Sequence, residues 1–257
     1  MSNACYQMAM NLKALNQRNG IEKAHQMNQT SYNCPICRDT GWILKPQKNG
    51  MDIAVSCECR NKEILHRQWK ASGINLENRN RTFTNFEEWN EHSKLAKEVA
   101  IAYVKDFSNI RLHRNNSLLL CGQVGSGKTH LALATALNLI DRHNLVVYMS
   151  YRDVVTDIKQ NMLDAEYYKK KLSKYQRCQV LLIDDLYKGK VTESDLNIMF
   201  EIINYRYLNY LPIIISTEYA IDILLSFDEA IGSRIYEMCK EYIVQIPKNI
   251  KNNYRLR

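Results

Sequence analysis

The 257-residue sequence contains no run approaching the roughly 18 apolar residues that a membrane-spanning helix requires. Its opening residues, Met-Ser-Asn-Ala-Cys-Tyr-Gln, lack the charged-then-apolar pattern of a secretion leader. A cytoplasmic location is therefore the expectation, with no membrane partner. Acidic residues are in deficit, at 27 Asp and Glu against 35 Lys and Arg, for a formal net charge of +8. That excess favours an anionic partner, although a modest positive balance also describes a merely solvated surface. With 46% hydrophobic and 24% charged residues, the composition is that of a globular protein. The length allows one good core plus a small appendage.

What is present is a phosphate-binding loop. Gly122-Gln123-Val124-Gly125-Ser126-Gly127-Lys128-Thr129 follows an apolar run, Ser117–Cys121, that reads as a buried strand. It precedes a run, His130–Leu137, that reads as a helix. A glycine-rich turn alone would not carry Gly-Lys-Thr in register between such flanks. The glycines let backbone N–H groups turn inward around a phosphate, and the helix N-terminus adds its positive dipole end. Gly122 to His130 are the expected ATP-binding residues. Lys128 is placed to reach the β- and γ-phosphates, and Thr129 to offer its hydroxyl to Mg²⁺.

The second half of such a site needs a strand ending in carboxylates. Val180-Leu181-Leu182-Ile183 runs straight into Asp184-Asp185. Asp184 is the expected Mg²⁺ partner through its water shell, and Asp185 the general base that polarises the attacking water. The plainer reading is an acidic N-cap of the next element. Further strands are expected at Leu145–Ser150, Ile213–Ser216 and Tyr242–Ile246. Helices are expected at Tyr151–Ile158, Ser194–Asn209, Ile221–Leu225 and Ile231–Cys239, and one before the loop with Leu95, Val99, Ala102 and Tyr103 on one face. This alternation predicts an α/β fold, a parallel sheet with helices on both faces and its ligand at the strand C-terminal ends. Arg234, in Gly-Ser-Arg-Ile, is either a surface charge or a finger that reaches a neighbouring subunit's γ-phosphate.

Eight cysteines is many for such a chain, and four of them cluster: Cys34-Pro35-Ile36-Cys37 and Cys57-Glu58-Cys59. The other four (Cys5, Cys121, Cys178, Cys239) are scattered thiols. Two close pairs about twenty residues apart can meet on one tetrahedral zinc ion. Disulfides are the competing reading, disfavoured by a reducing compartment. Asp39-Thr40-Gly41 reads as the turn of the first knuckle and Asn49-Gly50 as a hairpin tip, and His66 is the alternative fourth ligand. With four protein ligands the zinc would be structural rather than catalytic. Residues 1–30 read as a weakly striped helix with Leu12, Leu15 and Ile21.

Nucleic acid is the natural anionic partner for a basic triphosphate-binding chain. Single-stranded DNA would most plausibly meet Tyr151, Arg152, Lys159, Lys169 and Lys170, with Tyr167, Tyr168 and Lys171 beside them, where lysines neutralise phosphates and tyrosines stack on bases. A solvated helix face explains any one of these residues equally well. The domain expectation is an N-terminal zinc module over 1–70, a linker over 71–90 rich in Asn and Arg, and an ATPase domain over 91–257.

Taken together, Cys34–Cys59, Thr82-Phe83-Thr84-Asn85-Phe86, Gly122–Thr129, Leu182–Leu186, Ile214–Glu218 and Gly232–Ile235 resemble the AAA+ helicase loaders of the DnaC/DnaI type and the wider IstB-like ATP-binding group. The resemblance implies a five-stranded AAA+ P-loop ATPase lacking the C-terminal lid. It implies an N-terminal module that contacts a hexameric replicative DNA helicase, self-association or docking on helicase subunits, and loading onto single-stranded DNA. It implies that Arg234 acts in trans and that Phe83 and Phe86 wall the adenine. The alternative it leaves open is a transposition helper of the IstB type acting on duplex DNA. Two departures stand out: Glu218 occupies the sensor position usually held by Asn, and Asp185 replaces the commoner Glu, which suggests slow, switch-like hydrolysis. Arg255 or Arg257 is the stand-in for a lid arginine.

Overall fold

The computed structural model describes residues 32–47 and 51–257. The chain divides into two compact units, Met1–Arg67 and Gln68–Arg257. Residues 1–30 with Cys5, and the Asn49-Gly50 tip, lie outside the described residues. Among the described residues no helix is long and apolar enough to cross a membrane.

In the first unit a turn through Arg38 and Asp39, both at positive φ, leads into β1 (Trp42–Pro46), which pairs antiparallel with β2 (Asp52–Ser56). Asp39 shapes this turn by accepting hydrogen bonds from the amides of Cys34 at 2.8 Å and Asn33 at 3.1 Å. Helix α1 (Glu58–Ser72) follows, and the Arg60 guanidinium lies 4.3 Å from the centre of the Trp42 ring.

In the second unit the elements are α2 (Glu91–Ile110), β3 (Leu118–Gly122), α3 (Lys128–Asp141), β4 (Val146–Ser150), α4 (Tyr151–Gln160), α5 (Ala165–Arg177), β5 (Val180–Asp184), α6 (Glu193–Leu208), β6 (Ile213–Thr217), α7 (Ile221–Phe227), α8 (Glu229–Cys239) and β7 (Ile243–Ile246). The five strands β3 to β7 pair in parallel in the order β4-β5-β6-β3-β7. Period-two alternation explains why the strands read as unbroken apolar runs. Leu118 and Leu120 of β3, with Val180 and Leu182 of β5, enter the core on one face. Leu119, Cys121, Leu181 and Ile183 enter the core on the other. In β3 and β5 both faces are covered, so no position is left for a polar residue until the strand ends. Residues 71–90, expected to be a linker, belong to this unit, and Ile74 and Phe86 are buried in its core.

Two sequence expectations are corrected here. The buried face of α2 is Ser93, Ala96, Ala100, Tyr103, Val104 and Phe107, with Val99 partly buried against the core and Leu95 exposed. Helix α5, with Asp164 as its N-cap, was not foreseen as an element. Its C-terminal end is closed by Arg206, fully buried, which donates to the carbonyls of Tyr175 (2.9 Å), Cys178 (2.9 Å) and Pro212 (2.7 Å).

Candidate functional site

The topology sets β6 between β3 and β5, so the loop after β3 and the carboxylates after β5 flank the tip of one intervening strand. That tip carries Ser216, whose hydroxyl donates to Asp184 Oδ1 and accepts the Asp185 amide at 2.9 Å. Asp184 also accepts from Thr129 Oγ1 at 2.9 Å and from the Tyr148 hydroxyl at 3.1 Å. Three hydroxyl donors from three elements therefore aim this carboxylate, which is 7% exposed. Burial, then the Asp184 charge, pushes the Tyr148 phenol above its ordinary range, so it stays a donor. A hydroxyl beside an acidic oxygen is the hard-oxygen donor set that Mg²⁺ takes with several of its own waters.

Loop residues Gly125 and Gly127 adopt positive φ of 71° and 83°. A Cβ at Gly127 would stand 2.6 Å from Phe86, and one at Gly125 would stand 2.0 Å from the Asn253 side-chain oxygen, so both positions require glycine for space as well as conformation. Lys128 opens α3, and its ammonium donates to the carbonyls of Gly122 (2.9 Å) and Gln123 (2.6 Å). Burial lowers its pKa to about 8, against the raising influence of the Glu218 and Asp185 carboxylates. A buried cation hydrogen-bonded to two carbonyls is poised to exchange them for phosphate oxygens.

These groups open onto a cavity of about 470 Å³ lined by the loop from Val124 to His130, together with Asp185, Lys188 and Glu218. Its other wall is aromatic. Phe86 lies 5.3 Å from His130 and 5.7 Å from Trp89, and Trp89 lies 5.1 Å from Tyr254. Trp89 Nε1 is buried without a hydrogen-bond partner, a donor suited to a heterocyclic acceptor. The His130 ring is held by its Nε2 contact with the Thr82 carbonyl at 2.8 Å, and burial lowers its pKa.

Several expected residues have other roles. The Gln123 side chain accepts the Asn249 amide at 3.1 Å rather than facing the cavity. Phe83 packs against the core instead of the cavity wall, while Trp89 and Tyr254 take the place expected of it. Arg255 lines the cavity, whereas Arg257 pairs with Glu87 at 2.8 Å. Trp89 was legible as an aromatic just ahead of a helix start. Tyr254 was not, because its amide reaches the Gly125 carbonyl (2.9 Å) from the far end of the chain. Arg234 is absent from the described residues lining the cavity. It donates to Ala230 at 2.6 Å, lies 5.4 Å from the Phe200 and Tyr207 rings, and leaves a buried Nε unpartnered.

The residues expected to meet DNA divide. Tyr151 is only 4% exposed and stands edge-on to Tyr187, so its ring offers no stacking face. Lys159 is engaged by Asp195 at 3.0 Å, and Lys171 by Asp157 at 2.6 Å. The Tyr167 and Tyr168 hydroxyls bond Asp157 and Glu201. Arg152, Lys169 and Lys170 remain exposed.

In the first unit, the sulfurs of Cys34, Cys37, Cys57 and Cys59 all lie within 4.8 Å of one another. The Cys34–Cys57 separation of 3.8 Å is the edge of a tetrahedron with bonds of about 2.3 Å, so the set fits a thiolate-bound zinc. The thiols are free rather than disulfide-bonded, and His66 is an exposed residue outside this group. The Gly41 amide donates to Cys37 Sγ at 3.3 Å. Burial raises the Cys37 thiol, but hydrogen bonds from Cys59 and Gly41 outweigh it and leave the pKa at about 7.

Comparison with known proteins agrees with this geometry. The phage-like element PBSX protein XkdC of Bacillus subtilis (strain 168) is 38% identical, over 88% of this chain and 86% of its own. Among solved structures, the DnaC helicase loader superposes with a TM-score of 0.56 at 23% identity, covering 67% of this chain and 99% of that one. The replication initiator DnaA bound to AMPPCP and single-stranded DNA superposes with a TM-score of 0.57 at 25% identity, covering 69% of this chain and 53% of that one. These likenesses place the second unit in the AAA+ P-loop fold. Residues 56–231 match the model of the IstB-like ATP binding proteins, and the chain belongs to that family of ATPases.

Proposed function

We propose that the protein is an ATP-gated loader that delivers a hexameric replicative DNA helicase onto single-stranded DNA in the cytoplasm. The observation that carries this reading is one chain holding both a nucleotide cavity and a separate cysteine-built unit, with the ATPase fold shared with a helicase loader. The first unit would be the helicase-docking surface, held in shape by zinc on Cys34, Cys37, Cys57 and Cys59.

In the nucleotide site, Lys128 would leave the Gly122 and Gln123 carbonyls for the β- and γ-phosphate oxygens. Thr129 and Asp184 would hold Mg²⁺, which supplies neutralisation of phosphate charge when bound. Asp185 would take the proton of the attacking water, and Arg234 would serve a neighbouring subunit rather than its own cavity. Arg152, Lys169 and Lys170 are the cations left to meet a DNA backbone. ATP would hold the DNA-gripping state and hydrolysis would release it.

The test is co-migration on a sizing column with the replicative helicase of the same genome, with and without ATP. A complex supports loading, and failure to associate in both conditions defeats it. A transposition helper is the second reading, favoured by the name of the matched family. Anisotropy titrations that show a strong preference for duplex over single-stranded DNA would select it.

A further inference from the structure

The segment from Asp185 to Gly189, just after β5, has an unusual backbone. Asp185 (φ 57°) and Tyr187 (φ 63°) are non-glycine residues at positive φ, and Gly189 follows at 96°. L-residues visit this region rarely, so the surrounding structure must enforce it. The enforcement is visible. The Leu186 amide donates to the Ser216 carbonyl at 2.9 Å, and Thr217 Oγ1 donates to the Leu186 carbonyl at 2.9 Å. Tyr187 is buried, with its ring 5.6 Å from Tyr151 and 5.3 Å from Phe227. The two residues immediately before 188 are thereby pinned, which fixes where Lys188 leaves the backbone.

Lys188 lines the nucleotide cavity together with Asp185 and Glu218. Its ammonium donates to Asp185 Oδ2 at 2.7 Å and stands 3.6 Å from Glu218 Oε1. The carboxylate read as the general base is therefore ion-paired, and Glu218, where a neutral sensor is usual, is a second carboxylate near the same cation. The Lys188 side chain is 45% exposed and that of Asp185 32%, so solvent screens the pair and it holds weakly. The Lys128 ammonium is held by carbonyls, whereas the Lys188 side chain is nearly half exposed.

A triphosphate entering this cavity adds negative charge beside two carboxylates. Lys188 can pass from Asp185 to the γ-phosphate, because a multiply charged phosphate offers the ammonium a charge-assisted acceptor in place of one carboxylate. We propose that Lys188 is a γ-phosphate-sensing residue that caps Asp185 while no γ-phosphate is present and uncaps it by transferring its contact to that phosphate, with Glu218 positioning the ammonium between the two. ADP, lacking the γ-phosphate, leaves the cap in place, so the base is exposed only when there is a bond for it to break. This inference rests on the ATP-site reading above and assigns Lys188 a role that the phosphate-loop lysine does not fill.

The test is calorimetric binding of ATP and ADP, each with magnesium, to the full chain as wild type, Lys188→Ala and Lys188→Arg. Non-hydrolysable ATP stands in where turnover interferes. Lys188→Ala is expected to weaken the triphosphate by about tenfold, the loss of one charge-assisted contact, while ADP changes by less than about twofold. Lys188→Arg is expected to restore part of the preference. Equal weakening of both nucleotides, or no change in either, overturns the inference while leaving the ATP site intact. Wild type binding neither nucleotide overturns both. Thermal melting of each variant checks folding, and should Lys188→Ala melt early, Lys188→Met, which keeps the stem, decides the matter by the same ratio.

Discussion

In the first unit the buried apolar cluster is Cys34, Cys37 and Cys57, with Ile43 and Cys59 packed against it. In the second, aliphatic and aromatic side chains cover both faces of a five-stranded sheet. Among its described residues the small unit buries little besides these sulfurs, so a metal bound to them would supply much of its folding free energy. The large unit buries enough surface to fold by desolvation and can carry polar and strained groups at its strand tips. Chemistry that requires a buried lysine and a non-glycine residue at positive φ is found where the core is large.

Removing metal should break this comparison most sharply. Chelation, or Cys57→Ser, is expected to unfold residues 32–67, since zinc on four thiolates contributes on the order of 10 kcal/mol. Amide exchange would show protection lost there and kept in β3, β5 and β6. A purified chain containing no zinc would count against the thiolate site. In the large unit, Leu120→Ala is expected to cost about 3–4 kcal/mol, because Leu120 is fully buried on a central strand. Denaturant melts followed by tryptophan fluorescence would read it, with zinc content unchanged. Arg206→Leu is expected to cost about 2–3 kcal/mol despite being apolar, because several buried carbonyls lose their donor. A neutral effect would mean that water replaces the guanidinium.

The smallest effect concerns pH. Lys128 titrates at about 8 in the folded chain, against about 10.4 when unfolded. Below about pH 8 both states hold the proton, and the penalty of burying the ammonium is fully present. Between about 8 and 10 the unfolded chain binds more protons, so stability rises with pH across that window. Lys128→Met should therefore melt above wild type near pH 7, by about 1–2 kcal/mol, and the gap should close toward pH 10. The same variant should lose ATP binding. A gap constant with pH would remove the buried charge as its cause.

Reading the sequence against the structure separates two kinds of information. The β3 loop, the carboxylates after β5 and both cysteine pairs were legible because local chain geometry dictates their residue types. The same is true of the strands, whose apolar runs follow from burial on two faces. Leu95 misleads about α2, because the inward face is built partly from small residues, Ser93, Ala96 and Ala100, that apolar periodicity underweights. Helix α5 was missed because its polar, lysine-rich sequence has few core residues, Leu172 and Tyr175 alone being buried. Tyr151 looked like a stacking ring beside basic residues, yet it lies under Tyr187, which no local pattern announces.

By itself the sequence determined that a triphosphate can be gripped and that each cysteine pair can present two thiols together, since each needs only neighbouring residues in a fixed order. Tertiary structure alone decided that Ser216 aims Asp184, that Lys188 stands beside Glu218, and that Tyr254 completes the wall beside Trp89. Those pairings span segments far apart in the chain. They arise where parallel strands bring their ends to one edge, a juxtaposition set by the packing of the whole sheet.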